Sequence, residues 1–169
     1  MAEPSGLVLG VDPGSRITGY GVIRCVDRSQ QLVESGLIKG GDGELPGRLA
    51  AIYDGLLEVI NRHRPQEMAI EQVFVARSAA SALKLGQARG VAILAGVHRG
   101  LAVSEYAARS VKQAVTGTGS ASKAQIQHMV RALLGLTSVP PSDAADALAI
   151  AICHIHTRES ERRIAGLYP

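Results

Sequence analysis

Four carboxylates stand where an acid is hard to explain as scaffold. Asp12 closes the apolar run Gly6–Asp12 (GLVLGVD), just before the turn-forming pair Pro13-Gly14. Glu71 lies between Ala69-Ile70 and Val73-Phe74, inside a segment that reads as a strand, an element that disfavours acids. Asp143 and Asp146 are three apart near the start of a predicted helix, so they share a face, and Ala147, Ile150 and His154 continue it. Taken singly, Asp12 also reads as a turn residue and Asp143 as an acid favoured by a helix dipole. Glu71 and Asp146, each set among apolar neighbours, are harder to explain that way. If all four converged, each pair about 4 Å apart would repel by about 4 kcal/mol at an effective dielectric near 20. A fold that gathers them therefore needs a cation, and oxygen-only ligands favour Mg²⁺ or Mn²⁺ over zinc. Two such ions, one activating water and one stabilising a leaving 3′ oxygen, suit phosphodiester hydrolysis.

The charge distribution points to a polyanionic partner. The 169-residue chain has 18 Lys+Arg against 15 Asp+Glu, a formal charge of +3. Between Gln72 and Arg131, eight basic residues face a single acid, Glu105, so this stretch carries +7 and the remainder −4. A basic middle in an acidic frame suits nucleic acid; a few solvated helix faces are the plainer reading.

The elements that must position these residues follow from periodicity. Gly6–Asp12, Tyr20–Val26 and Leu32–Ile38 are short β-type runs separated by turns, which predicts an antiparallel meander. Apolar residues recur at helical spacing over Leu45–His63, and Arg64-Pro65 stops that helix. Strand Met68–Phe74, helix Ser78–Arg99, strand Leu101–Tyr106 and helix Arg109–Thr116 follow. Gly117–Ser120 reads as a flexible loop, Ser122 as the cap of a helix, and Ser142 as the cap of a last helix, Asp143–Ser160. The order β-β-β-α-β-α-β-α-α-α predicts an α/β fold: a mixed five-stranded sheet flanked by helices, with the later strands parallel. One domain over residues 1–160 and a tail over 161–169 are expected. With 46% hydrophobic residues a real core is expected, and no apolar run reaches the ~18 residues of a membrane span. No signal peptide is read, and Cys25 and Cys153 make no disulfide framework. A cytoplasmic protein without membrane contact is the expectation.

Two weaker signals fail. Gly117–Lys123 hints at a phosphate loop, but Ser122 precedes the lysine and Ala124 follows it, against the nucleotide-binding pattern. Cys153, His154 and His156 hint at a soft-metal site, but residues one and two apart on a helix do not face one another. One of these histidines, if near the acids, could assist proton transfer.

The segments Gly10–Gly21 (GVDPGSRITGYG), Ala69–Phe74 (AIEQVF), Ser81–Gly90 (SALKLGQARG) and Asp143–Ala149 (DAADALA) resemble the RuvC family of bacterial Holliday junction resolvases, in order and with comparable spacing over nearly the whole chain. The resemblance implies a ribonuclease H-like (integrase-like) fold. It implies a homodimer that binds a four-way DNA junction and nicks two strands of like polarity, leaving 5′-phosphate and 3′-hydroxyl ends. It implies recombination and repair beside a RuvA–RuvB branch-migration complex, with cutting at short T-rich sequences. The family's catalytic, metal-binding acids fall on Asp12, Glu71, Asp143 and Asp146, although some relatives carry His at the position of Asp143. Mg²⁺, two per active site, is the implied cofactor, with Mn²⁺ able to substitute. The family's basic residues near the cleaved strand fall on Lys112 and Lys123. Arg77 and Lys84 are further candidate DNA contacts. Phe74, the only Phe, reads either as core packing or as an aromatic that stacks on bases near the crossover. The Ser78–Arg99 helix, rich in Gly and Ala, is the candidate dimer contact.

Two other functions compete. Asp12-Pro-Gly-Ser15 also resembles the turn of actin- or sugar-kinase-like phosphotransferases, but 169 residues leave no room for the second lobe that encloses ATP. A DNA-binding module of the same fold without catalysis is the other, and the complete set of four acids argues against it.

Overall fold

Three β-favouring runs pair locally. β1 (Gly6–Asp12), β2 (Ile17–Val26) and β3 (Ser29–Lys39) form an antiparallel meander in the computed structural model, which describes residues 6–26, 29–73 and 78–166. The amphipathic helix α1 (Leu45–His63) follows, with Pro46 in its first turn and Arg64 in the left-handed conformation (φ 51°) at its end. β4 (Glu67–Glu71) then lies parallel to β1, and β5 (Ala102–Tyr106) parallel to β4, joined by α2 (Ala79–His98). The sheet order is β3-β2-β1-β4-β5. α3 (Ala108–Thr116), α4 (Lys123–Leu133) and α5 (Ser142–Ile164) complete the chain.

Alternation along the strands separates two cores. Leu9, Val11, Met68 and Ile70 pack with α1 and α2 on one face, whereas Val8 and Ala69 pack with α3, α4 and α5 on the other. A mixed five-stranded sheet with helices on both faces is therefore observed, as expected.

α5 lies unusually close to the sheet. A β carbon at Gly10 would sit 2.0 Å from the Ala147 carbonyl oxygen, one at Gly19 2.0 Å from the Asp143 carbonyl oxygen, and one at Gly21 2.4 Å from the Leu148 side chain. Bare backbone on β1 and β2 is thus what admits the helix. Because Ala144, Ala145, Ala147, Leu148, Ala149 and Ile150 are all buried, its first half is pressed into the protein.

Several expectations are corrected. β4 ends at Glu71 rather than running to Phe74, because its parallel pairing with β5 stops at Glu71 and Tyr106. Phe74 and Arg77 lie outside the described residues. Ser142 is the first residue of α5 and not its cap; Pro141 holds the cap position, and the Ser142 hydroxyl is buried without a hydrogen-bond partner among the described residues. α5 continues to Ile164, past the expected end at Ser160 and across the boundary of the expected tail. Ser122, by contrast, does cap α4: its hydroxyl accepts from Gln125 N–H while Gln125 Oε1 accepts from Ser122 N–H. Among the described residues no helix is long and apolar enough to cross a membrane.

Candidate active site

Asp12 and Glu71 end neighbouring parallel strands. Val11 pairs with Ile70, so the residues that follow leave the sheet at the same level. By alternation both belong to the face covered by α5. That helix then delivers Asp143 and Asp146 from its first two turns, at the height set by Gly10 and Gly19. One carboxylate oxygen from each of Asp12, Asp143 and Asp146 lies within 4.8 Å of the others. Glu71 does not join this trio at that distance, but it lines the same cleft of about 280 Å³ with Asp12, Asp146, Lys112 and Lys123.

The electrostatics match the geometry. Burial, then the charges of Asp146, Glu71 and Asp143, push the Asp12 carboxyl up to about 7. Burial also raises Glu71, with Asp146 adding to it and Lys112 and Lys123 opposing. Asp146 is raised by burial against the pull of Lys123, whose ammonium lies 3.4 Å from Asp146 Oδ2. Lys123 is itself raised, chiefly by Asp146. These carboxylates resist ionisation together. A divalent cation would remove that resistance, and the all-oxygen donor set fits a hard ion.

The rim is basic. Lys112 on α3 and Lys123 at the start of α4 border the acids. Beside them lies a hollow of about 500 Å³, lined by Ala108, Arg109, Lys112, Thr118, Gly119 and Ser120. The Arg109 stem crosses Gly119 so closely that a β carbon there would be 2.6 Å from Arg109 Cγ. The loop expected to be flexible is cross-tied: Thr116 Oγ1 donates to the Thr118 carbonyl at 3.0 Å, and the Thr118 and Ser120 hydroxyls are 3.1 Å apart.

Of the residues singled out from sequence, the cleft unites Asp12, Glu71, Asp146, Lys112 and Lys123, and Asp143 joins through the carboxylate trio. Lys84 does not line the cleft; it is exposed on α2. Arg109 escaped the sequence reading, although its position three residues before Lys112 on one helix face was the available signal. Arg89 also escaped: its Nε donates to the Glu71 carbonyl at 2.9 Å. His154 is not beside the acids. It lies eight residues along α5 from Asp146, about 12 Å by helical rise, where its Nε2 is 2.5 Å from Glu67 Oε2 and its Nδ1 2.8 Å from the Tyr106 hydroxyl.

Residues 8–154 match the family of the crossover junction endodeoxyribonuclease RuvC. The chain belongs to the RuvC family. The RuvC of Aeromonas salmonicida is 59% identical over 160 residues, covering 95% of this chain and 92% of that one. The RuvC of Shewanella pealeana is 58% identical with the same coverage. Among solved structures, Thermus thermophilus RuvC in complex with Holliday junction substrate superposes with a TM-score of 0.85 at 36% identity, over 92% of this chain and 96% of that chain. The yeast mitochondrial Holliday junction resolvase Ydc2 shares the fold, at a TM-score of 0.68 and 14% identity, over 92% of this chain and 80% of that one. The fold is accordingly ribonuclease H-like. RuvC enzymes are metal-dependent nucleases, and the acidic cluster is a site that could bind metal.

Proposed function

We propose that this chain binds four-way DNA junctions and resolves them by hydrolysing one phosphodiester in each of two strands of like polarity, in recombination and repair. The observation that carries the reading is the trio of carboxylates within 4.8 Å under a rim of Lys112 and Lys123. Asp12, Glu71, Asp143 and Asp146 would hold Mg²⁺, two ions per site, with Mn²⁺ able to substitute. Bound there, the ions supply an activated water and stabilise the leaving 3′ oxygen. The chain's own residues do the rest. Lys112 and Lys123 offset the charge of the scissile strand, and Arg109 with the Thr118–Ser120 loop receives a neighbouring phosphate. Phe74, Arg77 and Lys84 are proposed as further DNA contacts outside the cleft, Phe74 by stacking on bases near the crossover.

A junction with approximate two-fold symmetry calls for a two-fold protein, and α2 supplies a surface for a homodimer. Leu83 (71% exposed), Leu94 (46%) and Val97 (54%) share an outward stripe with Gly86 and Gly90. A β carbon at either glycine would meet nothing within 4 Å among the described residues, so a second helix can approach there. Work beside a RuvA–RuvB complex and a cytoplasmic location complete the proposal.

The test incubates purified protein with synthetic four-way junctions or linear duplex, in Mg²⁺ or Ca²⁺. Paired, symmetric nicks confined to junctions with Mg²⁺, leaving ends that ligase seals, are expected. Equal cutting of linear duplex, or none of junctions, would overturn the reading.

A further inference from the structure

Glu105, the single acid of the basic stretch, has a partner. Arg89 on α2 places Nη2 2.7 Å from Glu105 Oε1 and donates from Nε to the Glu71 carbonyl at 2.9 Å. Both anchors lie at the ends of adjacent strands, since Ile70 pairs with Glu105 and Glu71 with Tyr106. One planar guanidinium therefore grips β4 and β5 at the last register before the chain leaves the sheet. Gln72 N–H adds one bond there, to the Tyr106 carbonyl at 2.8 Å.

Resting on the nuclease reading above, we infer that Arg89 is a positioning residue for the metal site: it fixes the backbone from which the Glu71 carboxylate projects and ties that backbone to α2. Three observations support this. The Arg89 side chain is only 18% exposed, so its position is set by packing. Its planar fork satisfies a carbonyl and a carboxylate together, which the compact ammonium of a lysine does not reproduce. Glu105 is 45% exposed, and an ion pair to so exposed an acid contributes little to stability. The contact is thus better suited to holding geometry than to holding the fold. It also gives the proposed dimer helix a direct hold on a metal-site residue, because Arg89 immediately precedes Gly90 of the outward stripe.

The test compares wild type with Arg89→Met, Arg89→Lys and Glu105→Gln in three measurements. These are junction affinity in Ca²⁺, cleavage rate across a Mg²⁺ titration, and the Mg²⁺-induced melting shift of DNA-free protein. Loss of an outer-shell partner typically costs about 10–100-fold in metal affinity or activity. Arg89→Met is expected to lose that much cleavage while its junction affinity stays within about twofold. Its Mg²⁺-induced melting shift should move to higher concentration, with Arg89→Lys intermediate and Glu105→Gln mildest. Cleavage by Arg89→Met within about twofold of wild type overturns the inference, as does a fall in affinity equal to the fall in rate. If Arg89→Met does not fold, wild-type behaviour of Arg89→Lys in both Mg²⁺ measurements overturns it equally. A wild type that cuts no junction refutes the nuclease reading instead, and the DNA-free melting shift still tests Arg89.

Discussion

Replacing Asp146 with Asn isolates the electrostatics of the carboxylate cluster. Burial and three neighbouring acids hold Asp12 at about 7 against an ordinary 3.8. At about 1.4 kcal/mol per unit, ionising Asp12 in the folded, metal-free protein costs about 4 kcal/mol. The folded state binds this proton more tightly than the unfolded state. The Asp12 contribution to metal-free stability therefore falls as pH rises from about 4 to about 7, and stays low above that. Asn at 146 removes the leading repulsion on Asp12 but also removes the Lys123 pair, formed at 3.4 Å with a lysine side chain 73% exposed. A pair that exposed contributes at most about 1 kcal/mol, so relief of repulsion wins, by about 1 kcal/mol at pH 8. For a chain of this length that is a rise of about 2–4 °C in Tm. At pH 5 Asp12 is already protonated and the rise should largely vanish. Calorimetry in EDTA at the two pH values measures both, and Mg²⁺ titration should show the variant losing metal-induced stabilisation. The same variant should keep junction binding and lose cleavage. A lower Tm than wild type at pH 8 in EDTA would refute the electrostatic reasoning, and joint loss of binding and folding would refute the catalytic role.

Other outcomes follow from the same geometry. Lys112→Ala and Arg109→Ala should each weaken junction binding and reduce the slope of log affinity against log salt by about 0.9, the value of one phosphate contact; an unchanged slope counts against either contact. Gly19→Ala should lower Tm and metal affinity together, because its methyl collides with the Asp143 carbonyl, and overpacking costs about 1–3 kcal/mol; a wild-type Mg²⁺ response would show that α5 height does not govern the site. The hydrogen bond from His154, with the charge of Arg158, holds the Glu67 carboxyl at about 2. That stabilisation is complete above about pH 4.5 and disappears as pH falls toward 2. Glu67→Gln should therefore melt below wild type at pH 6, by about 1–2 kcal/mol after allowance for solvent screening, with the gap closing near pH 2; parallel pH profiles would contradict this.

The element order and most boundaries were legible because local patterns specify them. α1 spans the predicted Leu45–His63, where an apolar stripe meets an Arg-Pro stop. The misread ends depend on distant partners. Nothing near Glu71 announces that β5 stops at Tyr106 and takes β4 with it. Residues 161–163 read as the start of a tail, yet they continue α5 to Ile164, in a helix whose Arg158 pairs with Glu67 across the fold. The four acids were legible by type and setting. Their approach to one another was not, because it depends on glycines in β1 and β2 whose role appears only when α5 lies on them. Arg89 was hidden for the same reason: its anchors are a backbone carbonyl and an acid on another strand.

Asp12 and Asp146 are 134 positions apart, on the first strand and on α5. A nascent chain folded as far as β5 carries Asp12 and Glu71 but cannot close the carboxylate trio. On the proposed assignment of these acids, nuclease activity is expected only once α5 has docked on the sheet.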